Sequence, residues 1–230
     1  NKPLHLDNVN LPKKLLFGQV RVRLLTSGLC GAQLQEIAAL KGNEKYMPHL
    51  LGHEGCGIVE DVNENVSKVK KGDKVVMHWR KGSGIEADFT KYSWNGREIS
   101  GGKVTTLAEE TVVSENRITP VDKDIDSEFC ALLGCGLSTG FSVVNKDANI
   151  KFGESVLVLG CGGVGLSCIQ AAKLSLASEV AGIDINEKKR QMVENLGAAF
   201  YSPGDVEKIV ESKTKFDCII DTTGILSFVS

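Results

Sequence analysis

The chain has 230 residues, and its 27 lysine and arginine residues nearly balance its 29 aspartate and glutamate residues, so the formal net charge is −2. Hydrophobic residues make up 42% and charged residues 24%, which is typical of a folded globular protein and excludes a disordered or fibrous chain. A pI near 6.1 argues against a generic nucleic-acid binder, which needs a basic face, and no apolar run approaches the ~20 residues that cross a bilayer.

Seven cysteines, an odd number, are spread along the chain. At this length they indicate the reduced thiols of a cytoplasmic protein, some buried and some bound to metal, rather than a disulfide framework. The sequence contains no Cys-x-x-Cys pair, so spacing excludes a zinc ribbon or finger.

The first 120 residues favour short β-strands. Val20, Val22 and Leu24 alternate with two arginines, which predicts a strand over 19–25. The polar segment 79–102 contains glycine and shows no periodicity, so we predict a long loop or lobe that contributes to a site. Two further strands are predicted over 57–62 and 73–77.

The pattern changes near residue 135, where strands and helices begin to alternate. This alternation predicts a parallel sheet with right-handed crossovers, and the continuous apolar run 155–159 is typical of a strand covered on both faces. Helices are predicted over 137–149, 164–176, 186–196 and 204–212, and strands over 155–159, 179–184, 198–201 and 216–221.

A glycine triplet directly follows the apolar run. Gly160, Gly162 and Gly165 form Gly-x-Gly-x-x-Gly, which is weak evidence alone but here lies between a strand and a helix, as in a dinucleotide-binding turn. We expect Gly160 to permit a tight turn, Gly162 to let the backbone approach a pyrophosphate, and Gly165 to let helix and strand pack closely. The phosphates would then lie at the positive end of the helix.

Asp184 ends the next predicted strand, 19 residues after Gly165. A carboxylate at this distance binds the adenosine ribose hydroxyls of NAD and repels the 2′-phosphate of NADP. The plainer alternative is a turn residue at a strand end. Lys189, which lies between two further basic residues, either contributes to the coenzyme site and softens the exclusion of NADP or belongs to a solvated helix face.

Cysteine, histidine and glutamate are ligand types that suit Zn²⁺, and Cys30, His53, Glu54 and Cys135 are the candidates. They are scattered, because Cys30 lies 23 residues before His53 and Cys135 lies 82 residues after it. Spacing alone therefore leaves open two buried cysteines and a core histidine.

Five short motifs give these residues a context. They are Ser-Gly-Leu-Cys-Gly at 27–31, Pro-His-Leu-Leu-Gly-His-Glu-Gly-Cys-Gly-Ile-Val at 48–59, Lys-Gly-Asp-Lys-Val at 71–75, Gly-Cys-Gly-Leu-Ser-Thr-Gly at 134–140, and Gly-Cys-Gly-Gly-Val-Gly-Leu at 160–166. With these motifs in this order, the chain resembles the zinc-dependent alcohol dehydrogenases of the medium-chain dehydrogenase/reductase superfamily over essentially its whole length.

The resemblance implies a mixed α/β fold. Residues 1–136 would form a GroES-like β-barrel catalytic domain, and residues 137–230 a partial Rossmann domain, a doubly wound parallel sheet with about four of six strands. By the same resemblance, Cys30, His53 and Cys135 would be the ligands of one catalytic zinc, with Glu54 able to approach or exchange onto the metal.

The resemblance also implies residues that contact NAD. Gly162, Gly163 and Val164 match the pyrophosphate turn, Thr139 matches a residue beside the nicotinamide, and Asp184 matches the acid that selects NAD. The implied activity is hydride transfer between NAD(H) and a small alcohol, polyol or carbonyl substrate. Neither nucleic acid nor membrane is an expected partner, and the full-length form is expected to be a homo-oligomer.

The chain departs from the family pattern at several positions. Ala32 stands where a hydroxyl often begins a proton relay, Gln35 where some relays end in histidine, and Gln33 where an aspartate orients the zinc-bound histidine. Proton transfer would then use solvent or His78, although a lone histidine is more often structural. Because the segment 79–102 has no cysteine, we expect no structural zinc.

Family members continue well beyond residue 230, so we expect the chain to be a fragment. Two alternatives to the zinc dehydrogenase stay open. One is a truncated or degenerate dinucleotide-binding module without activity, supported by the missing tail and Ala32. The other is a zinc-free, NADPH-dependent quinone-type reductase. The evidence against it is the presence of Cys30, His53, Cys135 and Asp184.

Overall fold

The structure, a computed structural model, describes residues 4–40, 47–211 and 215–225. The chain divides into two compact units, Asn1–Cys135 and Gly136–Ser230. The first unit contains an antiparallel sheet and the second a parallel sheet, so the predicted mixed α/β class is confirmed.

The first unit is built on a five-stranded antiparallel sheet in the order β6-β1-β2-β3-β7. Its strands are β1 (Gln19–Ser27), β2 (Glu54–Val62), β3 (Lys74–His78), β6 (Glu110–Ser114) and β7 (Ile118–Val121). The alternating residues of β1 behave as predicted, because Val20 and Val22 are fully buried in a core with Val59, Val75 and Met77. Strands β6 and β7 were not predicted.

The segment 79–102 is predicted as a long loop or lobe, and the structure corrects this prediction over residues 91–100. It contains a hairpin of β4 (Lys91–Trp94) and β5 (Arg97–Ser100), joined at Asn95 and Gly96. Both turn residues have positive φ, 49° and 74°, which is the geometry of the tight hairpin turns that favour Asn-Gly. The dipeptide was visible in the sequence and was the signal for this turn.

Two seven-residue α-helices lie in the described part of the first unit. Helix α1 (Gly31–Ile37) follows β1, and helix α2 (Ser127–Leu133) begins at Asp126, whose carboxylate accepts a bond from the Phe129 N–H. Two turns of helix are too short to show a clear 3.6-residue periodicity, so neither was predicted.

A buried carboxylate fastens two loops of the first unit. Glu115 is 1% exposed and accepts backbone N–H bonds from Ser67 at 2.7 Å, Lys68 at 2.8 Å and Ile85 at 2.7 Å. Burial acts to raise its pKa, but the bonds from these three backbone groups outweigh burial and hold the pKa below its usual value. The ionised form therefore stabilises the fold at neutral pH.

We expect Glu115→Gln to lower the free energy of unfolding by about 3 kcal/mol at pH 7, because an amide cannot accept all three bonds. The folded-state pKa is depressed, so this stabilisation is present above pH ~4.3 and is lost as the pH falls further. Urea unfolding at pH 7 and at pH 3 measures the difference, which should shrink in acid. Glu64→Gln, at an exposed turn, is the control and should change little.

The second unit contains a four-stranded parallel sheet in the order β10-β9-β8-β11. Its strands are β8 (Ser155–Leu159), β9 (Glu179–Ile183), β10 (Ala199–Tyr201) and β11 (Cys218–Asp221). Val156 and Val158 lie in one core and Leu157 in another, so β8 is covered on both faces, as its apolar run predicts.

The helices of this unit begin close to the predicted positions. They are α3 (Gly136–Ser142), which continues as a π-helical segment Val143–Asp147, α4 (Gly163–Leu174), α5 (Arg190–Asn195) and α6 (Val206–Glu211). Residue 212, the predicted end of the last helix, lies outside the described residues. No single helix in the described part of the chain is long and apolar enough to cross a membrane, and the bent pair Ser127–Leu133 and Gly136–Asp147 passes only when joined, by length and composition.

Candidate metal centre and coenzyme turn

Three residues that are distant in sequence meet in the first unit. Cys30 precedes α1, His53 precedes β2, and Cys135 follows α2. One donor atom of each lies within 4.8 Å of the other two, and the two sulfurs are 3.8 Å apart. Cys30 and His53 come close because strands β1 and β2 pair Ser27 with Gly55, a few residues away from each of them.

The donor set fits a zinc ion. Two thiolates bound tetrahedrally at about 2.3 Å lie about 3.8 Å apart, which is the separation of the Cys30 and Cys135 sulfurs. Two sulfurs and one imidazole nitrogen are ligands that zinc binds well, and three protein ligands leave one tetrahedral position for another molecule.

The electrostatics of the cluster also suit a metal. The thiol of Cys135 donates a hydrogen bond to the Cys30 sulfur, and this bond, with a further one from His53, lowers the pKa of Cys30 to about 4. The thiolate, rather than the thiol, is the form that binds metal. Cys30 is therefore ready to act as a ligand at neutral pH.

Glu54 lies next to this cluster without being part of it. Among the residues that the structure describes, the group of mutually close donor atoms contains only the two cysteines and His53. Glu54 is 3% exposed, and a Cβ at Gly28 would lie 2.7 Å from its carboxylate, while a Cβ at Gly134 would lie 2.9 Å from its Cα. Its exchange onto a metal stays a prediction.

Gln33 supports the backbone beside the cluster. Its side-chain oxygen accepts the Gly52 N–H at 2.8 Å, and its amide nitrogen donates to the Glu36 carboxylate at 2.7 Å. Gly52 has φ +95°, and a Cβ there would lie 2.4 Å from the Thr106 hydroxyl. The residue before His53 is thus fixed by both packing and hydrogen bonding.

His78 has a structural role. Its Nδ1 is 2.7 Å from the Arg80 carbonyl and its Nε2 is 3.0 Å from the Thr119 hydroxyl. Burial lowers its pKa, so the neutral ring is favoured. Because both ring nitrogens have partners within the protein, His78 is poorly placed to carry a proton.

The glycine turn of the second unit has the features that a dinucleotide needs. Gly160 has φ +86°, and a Cβ at Gly165 would lie 1.8 Å from the Gly160 carbonyl oxygen, so both positions require glycine. A Cβ at Gly162 or Gly163 would meet nothing within 4 Å. Protein packing therefore does not explain these two glycines, whereas a ligand lying against the backbone would.

The turn also leaves donors for an anion. Gly162 is the N-cap of the twelve-residue helix α4 and has no side chain to cap its first N–H groups. Val164 lies in this first turn. The turn follows β8, where the strand order changes direction between β9 and β11, and ligands of such sheets bind at this point.

Asp184 lies at the end of β9 and supports the glycine turn directly. One carboxylate oxygen accepts the Cys161 N–H at 2.7 Å and the other accepts the Asn186 N–H at 2.8 Å. Burial raises the pKa of the Cys161 thiol to about 11, and the charges of Asp184 and of the half-buried Lys189 both lie close enough to Cys161 to influence it. The carboxylate is thus fixed beside the turn.

The remaining predicted residue and one unpredicted residue also lie in this unit. Thr139 is half-buried on α3, next to Gly140, where a Cβ would lie 2.4 Å from Ser167 of α4. Thr222, which follows β11, donates to the carbonyls of Leu159 at 2.9 Å and Gly160 at 3.0 Å. Thr222 is not among the site residues predicted from the sequence, although its position after the fourth strand was a signal.

Family models match both units of the chain. The model described as alcohol dehydrogenase GroES-like domain matches residues 17–123, and the model described as zinc-binding dehydrogenase matches residues 163–230. These matches, the fold and the three-donor cluster define the class as zinc-binding dehydrogenases.

Individual proteins support the same class. The S-(hydroxymethyl)glutathione dehydrogenase of Saccharomyces cerevisiae is 33% identical, over 97% of this chain and 67% of its own length. The putative S-(hydroxymethyl)glutathione dehydrogenase 2 of Schizosaccharomyces pombe is 31% identical, over 96% and 66%. The chain thus spans about two thirds of these relatives, and it belongs to the zinc-dependent alcohol dehydrogenase family of the medium-chain dehydrogenase/reductase superfamily.

Solved structures show the same fold. The alcohol dehydrogenase of Aeropyrum pernix matches with a TM-score of 0.79 at 26% identity, covering 100% of this chain and 71% of that one. The benzyl alcohol dehydrogenase of Acinetobacter calcoaceticus matches with a TM-score of 0.80 at 23% identity, covering 96% and 67%.

Proposed function

We propose that the protein is a zinc- and NAD-dependent dehydrogenase that oxidises a small alcohol to its carbonyl compound, or catalyses the reverse reaction. The observation that carries this proposal is the meeting of Cys30, His53 and Cys135, with sulfurs 3.8 Å apart, in a chain that also has a glycine turn open to a ligand. Oxidation removes a hydride and a proton from the alcohol, and NAD accepts the hydride.

Each group would be held by residues already described. Cys30, His53 and Cys135 would hold zinc, which when bound stabilises negative charge on an alcohol or carbonyl oxygen. The backbone at 160–165 would bind the pyrophosphate of NAD, and Asp184 its adenosine ribose. The protein's part is to position these groups and to exclude competing reactions.

The proton of the alcohol would leave through solvent. Ala32 has no hydroxyl to begin a relay, and both ring nitrogens of His78 already have partners. A cleft of about 540 Å³, which has His53 in its wall, gives water a route to the metal centre.

The test is zinc-dependent, alcohol-dependent formation of NADH. Protein purified with about one zinc per chain should reduce NAD with an alcohol, lose this activity after treatment with a strong chelator, and regain it with added zinc. If the metal-free protein instead oxidises NADPH while reducing a quinone, and does so as fast as the zinc-loaded protein, the quinone-type reductase is favoured. Zinc and NADH binding without turnover of any alcohol would favour the non-catalytic module.

Asp184→Asn tests the proposed preference for NAD. The asparagine oxygen can still accept the Cys161 N–H that holds the glycine turn, whereas its NH2 group cannot accept the Asn186 N–H, and the negative charge that repels a 2′-phosphate is lost. We expect NADH to bind about tenfold more weakly and NADPH more tightly, measured by nicotinamide fluorescence. Asp221→Asn, at the end of β11, is the control, and an equal change in both variants would contradict the assignment.

A further inference from the structure

The cleft beside the candidate metal centre is lined mostly by cations. His53 and two apolar residues, Trp79 and Val104, form part of its lining. The other four lining residues are Arg80, Lys81, Lys103 and Arg117. A cleft that only received a neutral alcohol would gain nothing from collecting four positive charges, since cations near one another repel.

One carboxylate compensates part of this charge. Within the described part of the chain, the ion pairs of the lining cations all involve Glu86, at 2.7 Å from Lys103, 3.1 Å from Arg117 and 3.7 Å from Lys81. The hydrogen bond from Lys103, with those from Asn116 and Arg117, lowers the pKa of Glu86 to about 2, so it stays ionised at neutral pH. Four cations and one carboxylate leave a formal charge of +3 around the cleft.

The cations are not interchangeable. Arg117 is 11% exposed at its side chain and donates to the Trp79 carbonyl as well as to Glu86, so it positions the cleft wall. Arg80 lies over the Trp79 ring at 5.3 Å, is exposed, and makes no ion pair with a described residue. Its backbone is anchored, because the His78 ring contacts its carbonyl. Arg80 thus presents an uncompensated guanidinium on a fixed segment.

We propose that the substrate is an alcohol that also carries a phosphate or carboxylate group, and that Arg80 and Lys103 bind this anion while the hydroxyl faces the metal centre. This inference rests on the proposed function and specifies its substrate class. Guanidinium and ammonium groups form strong charge-assisted hydrogen bonds with such anions. Binding energy from a part of the substrate that does not react can orient the reacting carbon.

Binding of the anion is tested without turnover. The chain has two tryptophans, so Trp94→Phe leaves Trp79 as the only indole, and its fluorescence reports on the cleft. Titration of the zinc-loaded protein with inorganic phosphate or acetate should change this emission. In this background, Arg80→Gln and Lys103→Gln should each weaken binding about tenfold. Lys71→Gln, which removes the same charge from an exposed turn, should leave binding unchanged.

A second arm compares glycerol, glycerol 3-phosphate and glycerate as substrates with NAD. We expect one charged alcohol to have a kcat/KM at least about tenfold above that of glycerol, and Arg80→Gln to remove this preference mainly through KM. The preferred compound identifies the anion as phosphate or carboxylate.

The outcomes separate this inference from the proposed function. Zinc-dependent oxidation of all three alcohols at similar rates, unaffected by Arg80→Gln, would contradict the proposed anionic substrate class but would still support the dehydrogenase activity. Binding of phosphate or acetate that depends on Arg80, without turnover of any alcohol, would support the anion site and count against the dehydrogenase. Binding that Arg80→Gln, Lys103→Gln and Lys71→Gln weaken equally would overturn the site.

Discussion

Cys30→Ser is expected to reduce bound zinc from about one ion per chain to less than about a tenth of an ion after dialysis, and to abolish alcohol oxidation with it. Changing a residue that merely contacts a metal ligand typically costs 10–100-fold in metal affinity, so loss of a thiolate ligand should cost more. The pKa of the Cys30 thiol is lowered to about 4, so this ligand is a thiolate at neutral pH. Serine removes this charge with little change in volume.

Cobalt substitution gives this prediction a readout independent of activity. The wild-type protein should show the sulfur-to-cobalt absorption of a site with two thiolates, and Cys30→Ser and Cys135→Ser should each lose about half of its intensity or all of the metal. Cys218→Ser removes a partly exposed thiol from β11 and is the matched control. A Cys30→Ser protein that keeps a full equivalent of zinc and normal turnover would contradict the assignment of Cys30 as a zinc ligand.

This site shows why local sequence patterns fall short. Its three residues are separated by 23 and 82 positions, and no rule of spacing brings them together. The pairing of Ser27 with Gly55 between β1 and β2 does so for Cys30 and His53, and register is a tertiary property. Only the resemblance to a family supplied the set, whereas the glycine turn could be derived from the residues, because its strand, turn and helix are contiguous.

The wrong prediction within the segment 79–102 has a different cause. The hairpin over 91–100 had a local signal in Asn95 and Gly96, which was overlooked because the flanking strands have only four residues each and mix polar with apolar side chains. The two basic residues after Trp79 are compatible with binding of an anionic substrate and equally with a solvated loop. The place of Arg80 in a cleft with His53 depends on the fold of the first unit, so the sequence alone could not decide between the two.

The second large effect is expected from Gly165→Ala. The added Cβ would lie 1.8 Å from the Gly160 carbonyl oxygen, which is far inside van der Waals contact, and the neighbouring atoms are backbone that cannot rotate away. Helix α4 would have to move off β8, with loss of contacts in the core that contains Val158 and Ile169. We expect the free energy of unfolding of this unit to fall by at least about 3 kcal/mol, measured by urea denaturation.

Two neighbouring glycines make the comparison decisive. Gly163→Ala places its Cβ in open space at the first position of α4 and should leave stability unchanged or raise it by up to about 1 kcal/mol. Gly162→Ala also meets no protein atom, yet its Cβ would project where the pyrophosphate is proposed to lie, so NADH should bind at least about tenfold more weakly while the fold persists. If Gly162→Ala binds NADH normally, the turn does not hold the coenzyme as proposed; if Gly165→Ala is as stable as Gly163→Ala, helix and strand are not packed as closely as the structure has them. Because the three changes add the same methyl group within four positions, only the surroundings of each Cβ can account for a difference among them.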